Sequence, residues 1–230
     1  MMFGRYLLQK LLAPRCCLCG LSCNSLEVPF CEHCYNDLPL WVGGCSCCGM
    51  PLRSAGEGLL CGSCQSKPKP FDNMCLLAWY ADAVPKLIGK FKYHNNLKAG
   101  YLLSKSWLKH QQNLQLPQVL IPVPIHPYKL AQRGFNQAAF IADVFAKDLN
   151  LPVDLDVCQK ILHTKASVKL NRKERLAQVK KLYKTNICLY EHVAIVDDVV
   201  TTQATVTILA QQLRKQGVKR VDVWALARTL

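Results

Sequence analysis

Apolar positions along the chain follow two alternating rhythms, continuous short runs and stripes that recur every three or four residues. The runs at 75–81 (CLLAWYA), 119–125 (VLIPVPI), 193–196 (VAIV) and 221–227 (VDVWALA) predict buried strands. Pro122 and Pro124 confine the second of these to its end. A shorter strand is expected around 157–162. Stripes at 83–93, 97–110, 135–149 and 204–216 predict helices, the third with apolar positions 135, 139, 140, 144 and 145. Within "NRKERLAQVKKL" (171–182), Leu176, Val179 and Leu182 keep helical spacing among cations, which predicts a basic helix with one apolar stripe. Continuous apolar strands alternating with helices imply a mainly parallel sheet covered on both faces. Ligands of such sheets bind beyond the strand carboxyl ends.

The first 70 residues break this rhythm. "MMFGRYLLQKLL" (1–12) is interrupted by Arg5 and Lys10 and precedes no small-residue cleavage site, so a short amphipathic helix packed on its own protein is expected, not a signal peptide. No apolar run approaches the roughly 18 residues of a spanning helix. A cytoplasmic protein is expected. "CQSKPKPFDN" (64–73) has the character of a linker, which divides the chain into units 1–70 and 71–230.

Half of the residues are hydrophobic and 19% charged, a folded composition and not a disordered one. Fourteen cysteines in such a chain need a reason other than structural disulfides. Eight form four Cys-x-x-Cys pairs: Cys16 and Cys19, Cys31 and Cys34, Cys45 and Cys48, Cys61 and Cys64. Gly20 and Gly49 follow the first and third pairs at matching places. Two such turns close a tetrahedron of thiolates around zinc, so two tandem structural Zn²⁺ sites are expected, with the pairs joined either sequentially or in interleaved fashion. Both quartets are complete without His33.

The formal charge of +14 falls to about +10 once eight thiolates and two Zn²⁺ ions are counted. A chain this basic favours polyanions, nucleic acid or phosphorylated small molecules. Between Lys160 and Lys184 nine cations face one acid, Glu174, and Lys165, Lys169, Arg172, Lys173, Lys180 and Lys181 are the candidates for nucleic-acid contact. Phe91, Tyr93 and Phe135 lie among polar or basic neighbours and are candidates for base stacking, or for the core.

The most informative stretch is "VAIVDDVVTTQAT" (193–205). Asp197 and Asp198 follow a buried strand, where their carboxylates can accept hydrogen bonds from vicinal hydroxyls. "TTQAT" then opens a helix whose free N–H groups and positive dipole end suit a phosphate, with the hydroxyls of Thr201, Thr202 and Thr205 as added donors. A sugar phosphate satisfies both halves.

An apolar run, Asp-Asp, then Thr-Thr-x-x-Thr resembles the ribose-phosphate signature of type I phosphoribosyltransferases, which bind 5-phosphoribosyl-1-pyrophosphate (PRPP) with Mg²⁺. "IPVPIHPYKLAQRGFNQA" (121–138), "KLIGKFKYHNN" (86–96), "NRKERL" (171–176), "ALART" (225–229) and the tandem cysteine start together resemble the ComF family of competence proteins, including its GntX-like relatives, over nearly the whole chain. The resemblance implies an α/β fold of the type I phosphoribosyltransferase kind, a mainly parallel sheet flanked by helices, preceded by a small zinc-ribbon module. It implies that Asp197 and Asp198 hold the ribose hydroxyls and that Thr201, Thr202, Gln203, Ala204 and Thr205 cradle the 5′-phosphate. Arg133, Gly134 and Asn136 would meet the pyrophosphate, with Lys92 and Arg175 as further phosphate contacts. Gln203 departs from the family's usual glycine, so a side chain enters the turn and either adds a donor or blocks it. The implied function is cytoplasmic support of DNA uptake in natural competence, through binding of single-stranded DNA and PRPP, with a helicase-like ATPase as a possible partner. The alternative is an active phosphoribosyltransferase acting on an unknown acceptor, with pyrophosphate released.

Overall fold

The computed structural model describes residues 15–23, 30–52, 58–93, 96–111, 113–161 and 182–230. In the cysteine-rich region, short helices begin within the second and fourth pairs, α1 (Glu32–Asn36) capped by Cys31 and α2 (Gly62–Ser66) capped by Cys61. Then come β1 (Asn73–Trp79), α3 (Val84–Tyr93), α4 (Leu97–His110), β2 (Val119–Pro122), α5 (Pro127–Arg133) and α6 (Gln137–Leu149). The chain continues through β3 (Cys158–Lys160), β4 (Tyr183–Thr185), β5 (His192–Val200), α7 (Ala204–Lys215) and β6 (Arg220–Arg228).

Four of the strands form a parallel sheet in the order β1-β6-β5-β2, as their unbroken apolar runs require. Two clusters of buried side chains cover its faces. Val193, Ile195, Val221 and Val223 pack with Ile208, Leu209 and Leu213 of α7 on one face. Ala194, Val196, Trp224 and Leu226 pack with α3, α4 and α6 on the other. There the rings of Trp107, Phe145 and Trp224 converge, with centroids 4.3 Å apart for the first two and 5.0 Å for Trp107 and Trp224. A fully buried side chain of that size contributes roughly 1.5–3 kcal/mol by its removal from water. Phe91 is fully buried against Phe135 and Phe140, so it belongs to the core and not to a stacking surface.

Three features depart from the sequence pattern. β5 runs through both aspartates to Val200 instead of ending at Val196, because β6 offers partners as far as Arg228. Between the strand at 119–125 and the helix at 135–149, where the pattern predicts no element, lies α5, which Pro127 opens and Gly134 closes in the left-handed conformation at φ 80°. β3 pairs antiparallel with β4 in a separate two-stranded sheet. The expected amino-terminal helix and nearly all of the basic helix at 171–182 lie outside the described residues.

The cysteine-rich region and the sheet share one core. Cys45, Cys47, Cys48 and Cys64 are buried in the same cluster as β1 and β6. Residues 39–41 run along the outer edge of β1: Trp79 donates to the Pro39 carbonyl at 2.8 Å, Trp41 to that of Leu77 at 2.8 Å, and Leu40 bridges Ala78. An edge strand is thereby covered.

Candidate functional site

Alternation along β5 places Asp197 on the face of Val193 and Ile195, and Asp198 on the face of Ala194 and Val196. The two carboxylates therefore meet different partners. Asp198, 7% exposed, takes Lys92 Nζ from α3 at 2.7 Å on Oδ2, while its Oδ1 accepts from Val199 N at 2.7 Å. Among the described residues, Asp197 Oδ1 accepts from the Asp198 amide at 2.9 Å. Burial, and then the neighbouring Asp198 carboxylate, push the Asp197 carboxyl up to about 8, against the opposing pull of Lys92.

These side chains line a cavity of about 210 Å³ together with Arg133, Asn136 and Thr205. Gln137 of α6, Lys129 of α5 and the hairpin residues Lys160 and Tyr183 complete its polar wall. Lys129 stands four residues before Arg133 on one helix, so the spacing in "PYKLAQR" carries the signal once the segment is helical. In the sequence, Lys160 counts only as a member of the basic stretch. It lies 5.3 Å from the Tyr183 ring centroid, and burial lowers its pKa while Asp197 raises it. Arg133 Nη1 donates to Gln137 Oε1 at 3.2 Å, and its guanidinium sits 5.3 Å from the ring centroid of Tyr93, which is 68% exposed.

Two of the expected contacts have structural duties. Asn136 caps α6, accepting from Ala138 N at 3.0 Å and donating to the Val123 carbonyl at 3.1 Å. Gly134 ends α5, and a Cβ built on it meets nothing within 4 Å. Glycine is required there by its positive φ and not by close approach.

The turn between β5 and α7 encloses a small hollow of about 40 Å³, lined by residues 199–206 and Asp197. Thr201 and Thr202 are exposed, and Thr205 faces both the hollow and the larger cavity. Gln203 takes the glycine-like backbone, φ 62° and ψ 1°, at the N-cap of α7, but its side chain does not cap the helix. With the amide oxygen facing Arg228, it accepts from Nη2 at 2.6 Å and Nη1 at 2.8 Å. The side chain is thus held by Arg228, an outcome the sequence leaves open. Arg175 and the nucleic-acid candidates Lys165, Lys169, Arg172, Lys173, Lys180 and Lys181 lie outside the described residues.

The cysteines resolve the pairing question in favour of sequential quartets. Cys16, Cys19, Cys31 and Cys34 bring their sulfurs within 4.8 Å of one another, and so do Cys45, Cys48, Cys61 and Cys64. Facing sulfurs stand 3.7 Å apart in the first quartet (Cys19 and Cys31) and 3.6 Å in the second (Cys48 and Cys61). A tetrahedron with Zn–S bonds of about 2.3 Å has edges of roughly 3.8 Å, so both quartets fit Zn²⁺. Gly20 and Gly49 close the first turn of each quartet, donating to Cys16 O at 2.9 Å and Cys45 O at 2.7 Å with φ 76° and 71°. His33 belongs to neither quartet. Among the described residues no further group of three or more such ligands forms a metal cluster, and no helix is long and apolar enough to cross a membrane.

No protein-family model matches the chain. Competence protein F of Haemophilus influenzae is 28% identical over 224 residues, covering 93% of this chain and 96% of its own length. DNA utilization protein YhgH of Escherichia coli K12 is 31% identical over 222 residues, covering 94% of this chain and 97% of its own. Competence protein ComFC of Streptococcus pneumoniae is 26% identical over 153 residues, 65% of each chain. Among solved structures, a purine phosphoribosyltransferase from Pyrococcus horikoshii covers 67% of this chain and 77% of its own at 16% identity, with a TM-score of 0.30.

Proposed function

Since this chain belongs to the ComF family, with competence protein F and DNA utilization protein YhgH among its relatives, we propose that it is a cytoplasmic DNA-uptake protein that binds PRPP and single-stranded DNA. The observation that carries the ligand reading is the convergence of an aspartate pair and four cations on one cavity, beside a helix-opening turn whose hollow shares Asp197 and Thr205 with it. Asp197 and Asp198 accept the ribose hydroxyls. The N–H groups that open α7, with the threonine hydroxyls, hold the 5′-phosphate. Lys92, Lys129, Arg133 and Lys160 offset the charge of the pyrophosphate. Mg²⁺, bound through the ligand's own oxygens, would supply further charge neutralisation.

Single-stranded DNA is supported by the rim of the same cavity. Tyr93 and Tyr128 are 68% and 63% exposed beside Arg133 and Lys129, the mixture of rings and cations on which unpaired bases stack while phosphates are held. A second reading, phosphoribosyl transfer to an acceptor with release of pyrophosphate, is favoured by Asp197, whose raised proton affinity suits a base working near neutral pH. A helicase-like ATPase partner belongs to the uptake reading.

The test is a calorimetric titration of Mg²⁺ and PRPP into the zinc-loaded chain, repeated with Asp197→Asn and Asp198→Asn. Saturable binding lost in both variants is the expected result. Absent or unaltered binding removes the carboxylate role. Labelled oligothymidylate, titrated at several salt concentrations, tests the DNA half separately.

A further inference from the structure

Arg228 closes β6 and is 5% exposed, yet among the described residues no carboxylate forms an ion pair with it. A buried guanidinium without a counter-charge is costly, so its surroundings must supply one. Beyond the Thr229 carbonyl, to which Nε donates at 3.4 Å, three neighbours are on hand. The Gln203 amide oxygen takes two of its N–H groups, Met74 Sδ lies 3.8 Å from Nη1, and Nη1 is 3.6 Å from where a Cβ on Gly49 would stand. Gly49 directly follows Cys48, so the guanidinium abuts the second cysteine quartet. Four thiolates around Zn²⁺ carry a net charge of about −2. Burial lowers the Arg228 pKa, and the quartet's cysteines pull it back up.

We propose that Arg228 is a positioning residue that draws the Gln203 side chain out of the phosphate turn, and that the zinc-loaded second cysteine centre anchors it there. The proposal rests on the sugar-phosphate reading of the turn. Residue 203 needs a left-handed backbone, which glycine adopts freely, and here a glutamine adopts it. A side chain at that position would lie over the N–H groups that open α7. Held by two hydrogen bonds from a cation, it leaves them free. The second centre thus governs the ligand site without touching the ligand. The first quartet does not: among the described contacts, Arg228 meets only the second.

The test uses the zinc-loaded full chain unaltered, as Arg228→Met, as Gln203→Gly, and as the double variant. PRPP affinity with Mg²⁺ is measured by calorimetry, and zinc release to a chromophoric chelator is followed in time. Arg228→Met is expected to weaken PRPP binding about tenfold, the loss of a charge-assisted hydrogen bond. Gln203→Gly in the same chain is expected to restore it, because no side chain is left to fall into the turn. A merely structural Arg228 gives no such rescue, so a double variant as weak as Arg228→Met overturns the proposal. Arg228→Met is also expected to speed one of the two zinc-release phases and spare the other. If that variant fails to fold, Gln203→Leu, which cannot accept from Arg228, carries the test: weakened PRPP binding upholds the proposal and unchanged binding overturns it. Should the unaltered chain bind no PRPP, the sugar-phosphate reading falls and zinc release alone decides the anchor. A faster phase upholds it, and unchanged rates overturn it.

Discussion

Gly20 and Gly49 offer a matched pair of perturbations. Each follows a Cys-x-x-Cys pair, each donates to the carbonyl of that pair's first cysteine, and each has φ between 71° and 76°. Replacing either with alanine forces an L side chain into the left-handed region, at a cost of about 1–2 kcal/mol. The surroundings differ. A Cβ on Gly20 meets nothing within 4 Å, whereas one on Gly49 lies 2.7 Å from Leu76 Cδ1. Leu76 is fully buried in β1 and has little room to yield. Overpacking of that kind adds about 1–3 kcal/mol. Gly20→Ala should therefore cost about 1–2 kcal/mol and Gly49→Ala about 2–5 kcal/mol. Urea denaturation of the zinc-loaded chain, followed by tryptophan fluorescence, reads both. A Gly20→Ala chain as unstable as Gly49→Ala would show that the second centre is not packed into the main core.

Lys92→Met leaves the mostly buried Asp198 carboxylate without its cation, and a loss of about 2 kcal/mol is expected in the same denaturation assay. Asp197 holds its proton up to about pH 8 in the folded chain but only to about pH 4 when unfolded, so the folded state carries the extra proton in that window and stability falls as pH rises through it. Asp197→Asn should flatten that decline, which is at most about 1.4 kcal/mol per pH unit for one proton; an unchanged slope in denaturation midpoints between pH 5 and 8 would assign it to other groups. Lys129→Ala should reduce the dependence of log affinity on log salt for single-stranded DNA by about 0.7, read by anisotropy, and an unaltered slope would place Lys129 off the DNA path.

Periodicity reveals most of this fold because the sheet is parallel and buried on both faces, so its strands read as unbroken apolar runs. Helices α3, α4 and α7 begin or end within a residue or so of their stripes for the same reason. Chain-distant pairing is not legible. The extension of β5 depends on β6, and the hairpin of β3 and β4 joins segments about twenty residues apart whose strands have only three residues each. Motifs point to the aspartates, Lys92, Arg133 and Thr205, and the structure brings them to one cavity. Lys129 escapes a sequence reading because its segment, preceded by prolines and followed by Gly134, looks like a loop until α5 is seen. The fate of Gln203 is illegible because its partner, Arg228, approaches from another strand. Cysteine spacing identifies the ligands but not their pairing, since two turns can close on either neighbour until the intervening chain is placed.

The arrangement around β1 bears on the order in which the chain assembles. Among the described strands of the sheet β1 pairs with β6 alone, and Asn73 finds its partner in Asp222, so the inner hydrogen bonds of β1 must wait for a segment far along the chain. Each cysteine quartet, by contrast, is a local closure over a short loop and can form on metal uptake before any sheet exists. Residues 39–41 and the second quartet would then hold β1 from its outer side while its permanent neighbour is still being synthesised. Zinc supply during translation, and not only in the finished protein, thereby becomes a determinant of how much of the chain escapes aggregation.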